Sequence, residues 1–178
     1  MARHGRLPTL PLIARPSPSA PMSLAAAVSP PRAAPAEASH APVRLVAYDH
    51  VGIRVSDRRR ALAFYEALGF VERARFPGHE ANEMESADGV RINLIFNAAR
   101  RPGARNALLD EPVKLPGITH PAFVVDDLAA LQDWLQRQGI AITEGPRRLG
   151  PRRIALFIRD PDGNVLEFDQ LIPQGDTA

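Results

Sequence analysis

The chain has no cysteine among its 178 residues. Disulfides, thiolate catalysis, iron–sulfur clusters and cysteine-ligated zinc are therefore excluded. No uninterrupted apolar run approaches the roughly 18 residues that a membrane-spanning helix needs, so no membrane partner is expected. Lysine is nearly absent: Lys114 is the single lysine among 22 basic residues. A preference that uniform fits genomic base composition better than chemistry. Aromatic residues are scarce, at 6%, and they do not interleave with a basic stripe, so nucleic acid is not an expected partner either. The pI near 9.6 does not contradict this. Residues 1–44 carry five arginines against one acid, Glu37, while the remainder holds 17 basic and 19 acidic residues. The basic character sits in the N-terminal segment.

That segment is rich in what the rest lacks. Residues 1–43 contain nine of the 18 prolines, each without a backbone N–H and each hostile to helix continuation. A disordered Pro/Ala/Arg-rich tail is expected over 1–43, and a transit peptide is the alternative. No secretory apolar core is present, and the expected location is cytoplasmic. Residues 174–178 are read as a short C-terminal tail.

Beyond the tail the sequence repeats itself. His50 and His120 coincide when 49–55 is set beside 119–125. Asp57 and Asp127 each follow seven residues later, Phe64 and Trp134 fourteen later, Gly69 and Gly139 nineteen later. Asp88-Gly89 and Asp162-Gly163 also correspond, which brings Asn93 into register with Glu167. Each copy begins with an alternating strand. An aspartate then stands where a helix N-cap belongs. The helices are expected from about Arg59 to Leu68 and from Leu128 to Gln138, with Phe64 and Trp134 as core residues and a glycine at each C′ position. Three strands follow each helix, the last two joined by a glycine turn. The pattern predicts an α+β protein of two βαβββ modules, 44–100 and 118–173, joined by a linker over 101–117.

This set of residues resembles the vicinal oxygen chelate superfamily, which includes glyoxalase I, extradiol dioxygenases, fosfomycin-resistance thiol transferases and bleomycin-resistance proteins. The resemblance rests on Asp49-His50-Val51-Gly52-Ile53, Ala63-Phe64-Tyr65, Leu68-Gly69-Phe70, Thr119-His120 and Asp160-Pro161-Asp162-Gly163-Asn164 with Leu166-Glu167. It implies that the modules form a cupped mixed sheet. It also implies that His50, His120 and Glu167 hold a divalent metal ion, with Asn93 beside them. Two imidazoles and a carboxylate suit Fe, Mn, Zn or Ni. Strand alternation independently turns Glu167, Val165 and Asp169 to one face and Leu166 and Phe168 to the other.

The resemblance implies an enzyme on a small oxygenated substrate, most simply a glyoxalase-like lyase or isomerase. A ring-cleaving dioxygenase, a thiol transferase and a metal-free ligand-binding protein are the alternatives. One departure matters: glyoxalase I has a carboxylate where this chain has Asn93, and an amide is no base. Glu167 and His79 are the candidate catalytic residues, with His79 as a proton shuttle. Asn93, Arg91, Arg153 and Phe157 are the candidate substrate-binding residues. Arg153 belongs to a cluster with Arg147, Arg148 and Arg152, expected in a loop able to clamp an anion. A homodimer is expected, because members of the superfamily often share cups between chains.

Overall fold

The computed structural model describes residues 46–173. The expectations for 1–43 and for 174–178 lie outside these residues. The described elements are β1 (Val51–Arg54), α1 (Arg58–Ala67), β2 (Val71–Phe76), β3 (Ala81–Glu85), β4 (Arg91–Ile95), β5 (Ala122–Val124), α2 (Leu128–Arg137), β6 (Ile142–Leu149), β7 (Arg153–Arg159) and β8 (Val165–Leu171). Two four-stranded mixed sheets result, ordered β1-β4-β3-β2 and β5-β8-β7-β6. In each, the first strand lies parallel to the last, which supplies the fourth strand, and the other pairs are antiparallel. The α+β architecture expected from the repeat is the one observed.

Local chemistry explains why the two helices match. The carboxylates of Asp57 and Asp127 accept the backbone N–H groups of Arg60 and Ala130, each at 2.9 Å, and so cap free donors at the first turn. Gly69 and Gly139 follow the last turns at positive φ, where a side chain would be strained. The register between first and last strands also repeats: Gly52 pairs with Asn93 and Ala122 with Glu167, each two residues beyond its histidine.

One face of each sheet is covered by the helices. Tyr65, Met84, Ile92, Leu135, Leu156 and Leu166 belong to a single buried cluster drawn from both halves. Trp134 departs from expectation. It is 41% exposed, because its ring lies over the end of α1, where Nε1 donates to the Ala67 carbonyl at 2.7 Å. Helical spacing marks an apolar position but not how fully a neighbour covers it.

The turn before β8 stitches the halves together. Asp162 accepts from the Ser56 backbone N–H at 2.8 Å and from its hydroxyl at 2.5 Å. Arg60 donates to the Pro161 carbonyl, Asn164 to the Arg54 carbonyl, and the buried Tyr65 hydroxyl to Asp160 at 3.0 Å. Burial raises the Asp160 carboxyl above its ordinary range, against the lowering effect of four donors.

The linker is folded down rather than looped away. Asp110 accepts from both terminal guanidinium nitrogens of Arg159, Nη1 and Nη2, at 2.7 and 2.8 Å. Asn106 donates to the Gly163 carbonyl. Leu109 packs on Ala155, Phe157 and Val165, a second apolar cluster on the face of β7–β8 turned away from the helices. The Arg159 bond is the main cause holding the Asp110 carboxyl down, at about 2.

Candidate functional site

The strand starts β1 and β5 bring the two repeat-related histidines to one cavity of about 350 Å³. Its wall includes Tyr48, His50, Arg54, Thr119, His120 and Asn164. Nε2 of His120 lies 2.8 Å from Glu167 Oε2, and Nδ1 lies 3.0 Å from the Thr119 hydroxyl. Glu167 is only 7% exposed. The ring of Phe157, which pairs with Glu167 across β7–β8, meets His120 edge-on at 5.7 Å.

His50 is bound differently. Its Nδ1 stands 2.7 Å from Asp49 Oδ2, and Arg91 holds the other oxygen of that carboxylate. The His50 bond is the largest cause keeping the Asp49 carboxyl below its ordinary range. Among the described residues, no three of His, Asp and Glu gather as a metal-holding group. His120 and Glu167 are brought into contact, and His50 lines one cavity with His120, a wall that does not include Glu167.

The other expected residues distribute unevenly. Asn93 lies on the open face of β4, and its side-chain oxygen is buried without a hydrogen-bond partner. Arg91 faces Asp49 and, at 4.0 Å, Glu83. Arg153 donates to Asp169 at 3.0 Å. Asp169 is 3% exposed, and its second oxygen has no partner. Arg147 and Arg148 are strand residues of β6 rather than loop residues, and Arg147 pairs with Glu144 at 2.5 Å. His79 is exposed in a short turn, Pro77–His79, and is not part of the cavity wall. Sequence reasoning missed the roles of Asp49 and Thr119. Both immediately precede a repeat histidine, a signal already present in the repeat.

Two imidazoles and a carboxylate are donors of the kind a divalent ion takes, with Glu167 and His120 touching and each histidine's Nδ1 engaged, but the three are not gathered into one group.

Residues 47–168 match the model of the Glyoxalase/Bleomycin resistance protein/Dioxygenase superfamily. The chain belongs to that superfamily. It is 31% identical over 125 residues to Glyoxalase domain-containing protein RDO1 of Mycosarcoma maydis, a match covering 67% of this chain and 65% of that protein. The chain thus spans about two thirds of that relative's length. Among solved structures it is similar to a glyoxalase/dioxygenase from Nostoc punctiforme, with TM-score 0.60 and 20% identity over 78% of this chain and 99% of that one. It is also similar to TnmS3, an antibiotic binding protein from Streptomyces, with TM-score 0.55 and 25% identity over 75% of this chain and 100% of that one. Among the described residues, no helix is long and apolar enough to cross a membrane.

Proposed function

We propose that this chain is a divalent-metal-dependent vicinal oxygen chelate enzyme, a glyoxalase-like lyase or isomerase acting on a small oxygenated substrate. The observation that carries the reading is the 2.8 Å contact between His120 and Glu167, with His120 and His50 lining one cavity. In this reading His50, His120 and Glu167 hold Fe, Mn, Zn or Ni. The ion supplies Lewis acidity toward a substrate oxygen.

The chain's own residues do the rest. Glu167, a buried carboxylate with one partner, accepts and returns the substrate proton. The unpartnered oxygen of Asn93 accepts a hydrogen bond from a substrate hydroxyl, a role open to a neutral amide. Phe157 keeps water from one side of His120. Arg91 and Arg153 each spend part of the guanidinium on a carboxylate and keep further N–H donors for an anionic substrate group. His79 has no step. The working division of the chain is a module over 44–100, a linker over 101–117 and a module over 118–173. The reading takes the protein to be a cytoplasmic homodimer with a small-molecule partner, and with neither nucleic acid nor membrane.

A second reading is a metal-free binding protein of the bleomycin-resistance kind. It is favoured by the mutual satisfaction of His120 and Glu167 and by the likeness to an antibiotic-binding protein. Elemental mass spectrometry of dialysed, untagged protein separates the two, followed by calorimetric titration with each ion. About one equivalent per chain, lost in His120→Ala and Glu167→Gln, is expected. Protein that contains no metal and takes none up belongs to the second reading.

A further inference from the structure

The two repeat-related histidines are bound by partners of different chemistry, and this determines their protons. A carboxylate at ordinary pH only accepts hydrogen bonds, whereas a hydroxyl donates or accepts. Asp49 Oδ2 lies 2.7 Å from His50 Nδ1, so Nδ1 must carry the hydrogen. A neutral His50 then has an unprotonated Nε2. Glu167 Oε2 lies 2.8 Å from the other nitrogen, Nε2, of His120. There the hydrogen belongs on Nε2, and Nδ1 accepts from the Thr119 hydroxyl at 3.0 Å.

We propose that the two histidines are held in opposite tautomers, and that Asp49 is the positioning residue that keeps the His50 Nε2 lone pair available to whatever enters the cavity. Arg91 anchors Asp49 from β4 by binding the oxygen that His50 does not use. Thr119 acts in the other direction. Its hydroxyl serves either tautomer, so His120 exchanges its Nε2–H···Glu167 bond for a free Nε2 without losing its Nδ1 partner. A carboxylate at 119 would forbid that exchange. His50 is therefore the standing base or ligand of the pair and His120 the convertible one. The assignment of the protons rests on geometry alone; their use toward a metal rests on the function proposed above.

Nitrogen-15 NMR of the histidine rings in the full, metal-free chain tests this at about pH 8.5, well above the ordinary histidine pKa of about 6.5. His50 is expected to show a pyrrole-type Nδ1 and a pyridine-type Nε2, and His120 the reverse. Asp49→Ala should move His50 to the Nε2–H form. Asp49→Asn, whose amide oxygen still accepts, should largely retain the wild-type pattern. Asp49 is exposed, so neither change is expected to disturb the core. Two histidines in the same tautomer, or an Asp49→Ala spectrum matching wild type, would overturn the proposal.

Zinc titration then separates this from the functional reading. Zinc binding that weakens about 10–100-fold in Asp49→Ala supports both. No zinc uptake, with opposite tautomers still seen, sinks the metal reading and sustains the assignment of Asp49. Zinc binding equally tight in wild type and Asp49→Ala overturns the positioning role.

Discussion

Leu166 and Glu167 are chain neighbours in β8 whose side chains serve opposite faces of one sheet. Leu166 is fully buried in the cluster beneath the helices, and Glu167 meets His120 on the other side. Their substitutions should therefore fail in different ways. Leu166→Ala is expected to lower unfolding free energy by about 2–5 kcal/mol through lost transfer energy and a residual cavity. Glu167→Gln should leave the core intact and weaken metal affinity by more than about tenfold, the scale seen for lesser perturbations of metal sites. Chemical denaturation and calorimetric titration on the same preparations check both. A large stability loss in Glu167→Gln would mean that the carboxylate is structural.

Asn93 stands directly across β3–β4 from Glu83. Asn93→Glu would set two carboxylates opposite one another, a pairing that destabilises a sheet by roughly 0.2–1 kcal/mol. The variant is expected to melt below wild type without metal. It should recover when a divalent ion is added and gain activity on the methylglyoxal–glutathione adduct. Melting curves with and without the ion, beside an activity assay, decide it. A variant indifferent to metal would count against a ligand position at 93.

The Asp110–Arg159 clasp predicts a particular acid limb. Asp110 is held at about 2 in the folded chain, below its ordinary 3.8. Its contribution is fully present above the ordinary value and is lost as pH falls through that value toward about 2. Asp160 works in the opposite sense: burial raises it, so protonation on acidification relieves a cost. Asp110→Asn should flatten the melting-temperature profile between about pH 4 and 2, the window set by those two values. Superimposable acid limbs would show that the clasp adds nothing to stability.

Gly163 and Gly69 have nearly the same backbone angle and different surroundings. Their φ values are 87° and 89°. A Cβ at 163 would lie 1.9 Å from the Ala104 carbonyl oxygen, whereas a Cβ at 69 meets nothing within 4 Å. Gly69→Ala is expected to cost about 1–2 kcal/mol, the left-handed penalty alone. Gly163→Ala carries the same penalty plus displacement of the linker, and should exceed it clearly. Limited proteolysis should cut residues 101–117 faster in Gly163→Ala than in Gly69→Ala. Equal cutting would mean that the linker is not held at Gly163.

Much of this arrangement was legible in the residues because its causes are local. A capping aspartate, a glycine within a few residues of the end of each apolar stripe, and strict strand alternation each act within a few positions. They recovered both helices to within a residue at each end, along with the sheet face that bears Glu167. What escaped depends on remote partners. The arginine and proline content of the linker gave no sign that Asp110 would reach Arg159. Nothing adjacent to Trp134 told how little would cover it. The resemblance led to His50, His120 and Glu167 as a set, and geometry joins the last two while tying His50 to Asp49. Asp49 and Thr119 went unassigned because a residue beside a repeat histidine has no periodicity of its own.

The bonds made by the turn before β8 also bear on how the chain reaches its fold. Ser56 meets Asp162 across 106 residues, Arg54 meets Asn164 across 110, and Tyr65 meets Asp160 across 95. Every one joins the first half of the repeat to the end of the second. Loop-closure entropy must be met before such contacts return anything, and non-local pairing of this kind slows folding relative to helical proteins of similar size. The first half emerges from synthesis with the Tyr65 hydroxyl and the Ser56 amide still without their partners. Those partners lie at the end of the second half, so the repeat is a duplication in sequence whose halves complete one another in the fold.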